Sequence, residues 1–256
     1  MISATLCLAA LAVRLPTPAV SAWDRYVQLT EARIQQEVAD PSFMVFSADA
    51  YARLRKGELI LEERKTLDQG REIRFDGAIP HHFVASIFIP NGTLERTLQV
   101  VEDYDRYQTI HAPDISKSRT LERNGHDARI FLAIRQKKGV TATINVEMNV
   151  HYTALDAKRA WSAGRSTRVA EVENPGEAKE REKPIGDDRG FLWRLNSYWR
   201  FWEKDGGTYL QVESISLSRS GPALVAWVFN SALHGVHRDF LTHMVVQTRE
   251  AVLALR

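Results

Sequence analysis

Several chemistries are closed to this chain by what it lacks. It holds one cysteine, Cys7, in 256 residues, so no disulfide can form within it. No apolar run approaches the about 20 residues that a membrane-spanning helix requires. Neither sign of charge dominates: 34 Lys and Arg stand against 32 Asp and Glu, for a net charge of +2. A nucleic-acid binder usually shows a strongly basic face, so no nucleic-acid partner is expected. Glycine-rich phosphate loops are missing. So is the Gly-x-Ser-x-Gly elbow of serine hydrolases, whose nearest approach, Arg219-Ser220-Gly221, lacks the first glycine.

Hydrophobic residues make up 44% of the chain, enough for a large core. Trp193, Trp199 and Trp202 fall close together. At the N-terminus an apolar stretch, Ala4 to Val13, is followed by Ala19-Val20-Ser21-Ala22. That order matches the core and cleavage site of a secretory signal, so residues 1–22 are read as a signal peptide and the protein as periplasmic or secreted. No Lys or Arg precedes the run, which keeps a cytoplasmic chain as the alternative. Residues 23–57 read as a helical extension and 58–256 as one domain.

Residues 23–39 are rich in straight-chain helix formers and end at Asp40-Pro41. A short helix is expected from Ser47, an N-cap residue, to about Lys56. Periodicity then turns to two. Strands are expected at 58–65 and 81–89, followed by a turn at Pro90-Asn91-Gly92 and a helix capped by Thr93. More strands are expected at 115–123, 127–137, 141–155, 159–172, 190–204 and 207–218. In the third of these, Ile144, Val146, Met148, Val150 and Tyr152 alternate with polar residues, the mark of a sheet buried on one face. Short polar connections imply antiparallel pairing. The charged stretch 173–189 reads as a solvated loop. The chain closes with an apolar helix from Pro222 to Leu233, a break at Gly235, and a second helix to Leu255.

The order of strand, helix, meander and long closing helix resembles the START-like or polyketide cyclase-dehydratase-like (SRPBCC, helix-grip) superfamily. Residues 83–105 resemble its early strand and helix, and residues 190–219 its last two strands. The HH dipeptide at 81–82 and the STRVAEVENPG stretch at 166–176 resemble exported bacterial members. The resemblance implies an α+β fold in which a curved antiparallel sheet of six to seven or more strands wraps a long C-terminal helix. It also implies a cavity between them for an apolar small molecule or lipid, with transient membrane contact where lipids are exchanged. No catalytic motif is shared across the superfamily, so none is carried over and no cofactor is expected. The oligomeric state is left open.

Asp205-Gly206 suits a two-residue hairpin turn, which fixes a register. Opposed residues share a face. One face then carries Trp193, Leu195, Ser197, Trp199, Phe201, Val212 and Ser214. With Met148, Tyr152, Phe240 and Met244 these are the candidates for the cavity wall. The other face carries Arg194, Tyr198, Arg200 and Glu213, a polar set expected to meet solvent. Turned inward, Tyr198, Glu213 and Arg200 would instead supply an acid, a base and oxyanion support for a cyclase or dehydratase. A ligand-free interaction module is the third reading; a cavity of about 300 Å³ or more would argue against it. His81 and His82 point to opposite faces of a strand. His234 and His237 share a helix face around Gly235, but the sequence shows no acidic ligand beside them, so no metal is expected.

Overall fold

A computed structural model describes residues 14–44, 48–136, 141–185, 188–221 and 226–255. The apolar run Ala4–Val13, the N-cap at Ser47 and the start of the closing helix at Pro222 lie outside the described residues.

The sheet is built from β1 (Ile60–Glu63), β4 (Ala78–Pro90), β5 (Ile115–Asn124), β6 (Asp127–Gln136), β7 (Ala142–Ala154), β8 (Arg159–Glu173), β10 (Arg194–Lys204) and β11 (Gly207–Arg219). Its order is β1-β4-β11-β10-β8-β7-β6-β5, antiparallel throughout. A small hairpin, β2 (Leu67–Asp68) and β3 (Arg71–Glu72), stands apart. The expected alternation holds in β7: Ile144, Val146, Met148, Val150 and Tyr152 are buried, and Asn149 and His151 are exposed. The last hairpin pairs as the turn dictates, from Lys204 opposite Gly207 back to Arg194 opposite Leu217. Asp205 and Gly206 both take positive φ, at 57° and 79°, which suits the twist of a two-residue hairpin.

Helix α3 (Leu94–Val101) follows β4, and the Thr93 hydroxyl accepts from the Arg96 amide at 3.2 Å. A 3₁₀ turn (Tyr104–Arg106) and helix α4 (Tyr107–Ile110) lead into β5. The closing helix, α5 (Ala226–Ala254), is continuous over 29 residues. Gly235 does not break it, contrary to expectation. A helical glycine costs only about 1 kcal/mol relative to alanine, and residues on both sides of it, such as Leu233, Leu241, Met244 and Val245, are buried in the core. The charged stretch 173–189, expected as a loop, also contains a strand. Its short strand β9 (Arg181–Glu182) pairs with the end of β8, and Glu182 receives the Arg168 guanidinium.

The larger departure lies at the N-terminus. Helix α1 (Thr17–Ala39) buries Ala19, Trp23, Tyr26, Thr30, Ile34 and Val38. That three-and-four spacing makes one face of a helix, and the face packs on the convex side of the sheet beside Tyr198, Tyr209, Ile215 and Leu217. Helix α2 (Ala48–Arg55) adds Leu54 to the same cluster. The architecture therefore has three layers: α5, the sheet, then α1 with α2. The central strand β4 is accordingly buried along most of both faces. Helix α1 runs through Ala22, where the sequence suggested cleavage.

Candidate functional site

The concave face of the sheet and α5 enclose an apolar cavity. Its wall comes from β6 (Ile130, Leu132, Ile134), β7 (Met148, Val150, Tyr152), β8 (Ser162), β10 (Leu195, Ser197, Trp199), β11 (Val212, Ser214) and α5 (Phe240, Leu241, Met244). Val101, Tyr104 and Tyr107 close one end. The volume as it stands is about 60 Å³. That is well below the about 300 Å³ that would argue against a ligand-free module: side chains fill most of the space, and the volume as it stands does not count against that reading.

Polar atoms in the wall are few and uncharged. Tyr104 and Tyr152 share a hydroxyl–hydroxyl hydrogen bond of 2.5 Å, and Tyr107 donates to the Val101 carbonyl at 2.6 Å. Burial pushes all three phenols above their usual range, so they stay neutral at physiological pH. Ser197 and Ser214 face each other across the last hairpin. Both are half-buried, with no hydrogen-bond partner for either hydroxyl among the described residues. Gly164, opposite Ser197, widens the space: a Cβ there would sit 3.1 Å from the Ser197 hydroxyl and 3.3 Å from Met148 Cε. Phe240 is half-buried and also lines an open groove of about 440 Å³ between α5 and the segment around Pro113 and Asp114.

Met148, Tyr152, Leu195, Ser197, Trp199, Val212, Ser214, Phe240 and Met244 thus stand together on the wall. Phe201 lies behind it, fully enclosed and stacked on Trp199 at 6.3 Å between ring centres. Trp193 is a correction. The strand begins only at Arg194, after a Gly190 with φ of 69°. Trp193 therefore falls out of the alternation. Its indole donates to Asp188 at 3.1 Å, and its ring joins the cluster under α1. Tyr104 and Tyr107 were missed as wall residues, although their spacing of three in an aromatic segment was a visible sign.

The polar set of the hairpin is a second correction. Tyr198, Arg200 and Glu213 face neither solvent nor the cavity, but the layer made by α1. Glu213 accepts from His82 Nε2 at 2.6 Å and pairs with Arg33. The other nitrogen of His82 meets the Tyr26 hydroxyl at 2.8 Å. Arg200 pairs with Glu37 at 2.5 Å, not with Glu213. Tyr198 donates to Glu31 at 2.8 Å, which also receives Arg165. Arg194 stays outside the network and donates to the Trp193 carbonyl. Burial alone would raise the Glu213 carboxyl, but the hydrogen bond from His82 and the charge of Arg33 outweigh it and hold it down at about 2. A carboxylate so fixed, on the far side of the sheet, is neither general acid nor base for anything in the cavity. Sequence reading expected a helix at 23–39 but gave Glu31, Arg33 and Glu37 no role, so this network was not foreseen.

No protein-family model matches the chain. No curated protein sequence matches it. Among solved structures it is similar to the Zhui aromatase/cyclase from Streptomyces sp. R1128, at 16% identity over 70% of this chain and 97% of that one, with a TM-score of 0.48. It is similar to human STARD10 at 11% identity over 83% of this chain and 82% of that one, with a TM-score of 0.47. It is also similar to a STAR-related lipid transfer protein from Xanthomonas axonopodis, at 12% identity over 72% and 97%, with a TM-score of 0.40. The chain's own topology, an antiparallel sheet gripping a C-terminal helix, is the α+β arrangement expected from the sequence.

Proposed function

We propose that this protein binds a hydrophobic small molecule or lipid between the concave face of the sheet and α5. The observation that carries the reading is the wall itself. It is aliphatic and aromatic, and among the described residues its lining includes no charged side chain. Among the described residues its serine hydroxyls at positions 197 and 214 have no hydrogen-bond partner, as suits a site that orients an apolar ligand by a few polar contacts. The present volume holds a few atoms, so a ligand enters by displacing side chains. Phe240, shared by the cavity and the 440 Å³ groove beside it, is the side chain whose movement joins the two. Each Å² of ligand surface removed from water then contributes about 25 cal/mol.

A cyclase or dehydratase reading finds less support. Among the described residues the titratable groups of the wall are three tyrosines with raised pKa values, and the carboxylate and guanidinium proposed for that chemistry lie behind the sheet.

The test is titration with an apolar fluorophore whose emission rises on leaving water, followed by displacement with extracted lipid. The wild type should bind it saturably with quenching of tryptophan emission. Ser214→Leu, which fills the cavity with an apolar group, should bind at least tenfold more weakly while its melting temperature holds or rises. Equal affinity in that variant would place the ligand elsewhere.

A further inference from the structure

The fold brings together three histidines distant in sequence. His81 near the start of β4 meets His234 and His237 of α5. The edge strand β1 adds Glu63, the acidic neighbour that the sequence could not place. His81 and His234 turn their Nδ1 atoms toward each other at 3.4 Å. Their outer nitrogens are both held: His234 Nε2 by the Glu63 carboxylate at 3.2 Å, and His81 Nε2 by the Ser218 hydroxyl at 2.7 Å.

These partners limit the tautomers. A carboxylate only accepts, so a neutral His234 carries its proton on Nε2 and bares a lone pair at Nδ1. The Ser218 hydroxyl lies 2.7 Å from His81 Nε2 and 3.5 Å from the Arg219 carbonyl; with its proton turned to the carbonyl it accepts from His81, and His81 Nδ1 is a lone pair as well. Two facing lone pairs, on a His81 ring only 1% exposed, are held together by a cation between them; with the Ser218 proton turned to His81 instead, His81 Nδ1 donates to His234 and no cation enters. Two nitrogens each about 2.0–2.1 Å from one tetrahedral ion lie about 3.4 Å apart. Holding the outer imidazole nitrogen with a carboxylate, as Glu63 holds His234, is also how proteins orient metal-ligating histidines.

We infer that His81 Nδ1 and His234 Nδ1 form a binding site for a divalent first-row metal, zinc or copper, with Glu63 and Ser218 as positioning residues. Imidazole nitrogens suit both ions. Among the described residues no three His, Cys, Asp or Glu side chains stand close enough to hold an ion, so the site has two protein ligands and its remaining positions take water. The His234 side chain is 34% exposed and opens toward solvent. His237 stacks on His81 at 4.2 Å, with its Nε2 buried and unbonded, and fixes the His81 ring. An ion there would tie α5 to β4 about two turns before Phe240, independently of whether the cavity takes a ligand.

The experiment titrates the metal-free full chain with Zn(II) alone by calorimetry, and with Cu(II) followed by electron paramagnetic resonance. The expected result is one ion per chain, nitrogen hyperfine structure from two imidazoles, and a raised melting temperature. His234→Ala changes a half-exposed ring and should leave the fold intact while removing this uptake. Glu63→Gln should weaken it at least tenfold. His151→Ala and His243→Ala, exposed histidines far from the site, should leave it unchanged. No uptake by the wild type would mean that His81 simply donates a proton to His234. Uptake surviving His234→Ala would mean adventitious binding; either result overturns the inference.

Discussion

Toward α5, strands β10 and β11 present Leu195, Ser197, Trp199, Val212 and Ser214; toward α1 the same strands present Tyr198, Arg200 and Glu213. The first face is apolar and slightly underfilled, with serine hydroxyls that have no partner among the described residues. The second is packed with charges, each of which has a partner on α1 or β4. Apolar contact is non-directional, so side chains on the concave face can shift and let a guest in without leaving any group unsatisfied. Buried ions have no such freedom, because removing one partner strands the other in a medium that solvates it poorly. One sheet thereby joins a yielding face to a fixed one.

The comparison is tested most severely at Glu213. Glu213→Ala leaves Arg33 and His82 without their shared acceptor, and a loss of about 3–5 kcal/mol in urea unfolding is expected. Fluorophore affinity at temperatures where the variant remains folded should change less than twofold. A large loss of affinity would show that the two faces are coupled. Phe201→Ala and Trp199→Ala divide the concave face itself. Phe201 is fully enclosed, so its removal should cost about 3–5 kcal/mol. Trp199→Ala, at the cavity edge, should cost less stability and more affinity, and equal stability losses would mean that the cavity does no more than pack.

Acid should loosen the fixed face first. Glu213 titrates near 4.5 unfolded and at about 2 when folded, so its contribution is fully present above pH 4.5. It fades as pH falls toward 2, by about 3 kcal/mol at about 1.4 kcal/mol per pKa unit. Hydrogen exchange between pH 5 and 2.5 should show α1 losing protection before β6 and β7; simultaneous loss would argue against separate control of the faces. The smallest effect is expected for Tyr152→Phe, which removes the 2.5 Å hydroxyl contact with Tyr104 at a cost of about 1 kcal/mol. It should raise affinity for fully apolar probes.

The strands could be read from the sequence because their signals are local. Alternation in β7 and the Asp205-Gly206 turn fix which residues share a face, and nine of the proposed wall residues do line the cavity. Trp193 failed because parity holds only inside a strand, and a glycine at positive φ three residues earlier resets it. Tyr198, Arg200 and Glu213 failed for a different reason. Alternation separates two faces but does not say what covers either one, and the charges on α1 carry no local sign of their partners on the sheet. Gly235 was overweighted because propensity was judged without the surface that α5 packs against.

Residue order alone determined the antiparallel meander, the hairpin register and the absence of disulfide, phosphate-loop and serine-elbow chemistry, since each depends on neighbours a few positions apart. Only the tertiary structure decided that α1 covers the convex face, that Glu213 meets Arg33 across 180 positions, and that His81 meets His234 across 153. Such pairings arise from the packing of whole layers, whose free energy is spread over many contacts and leaves no periodic trace in the chain.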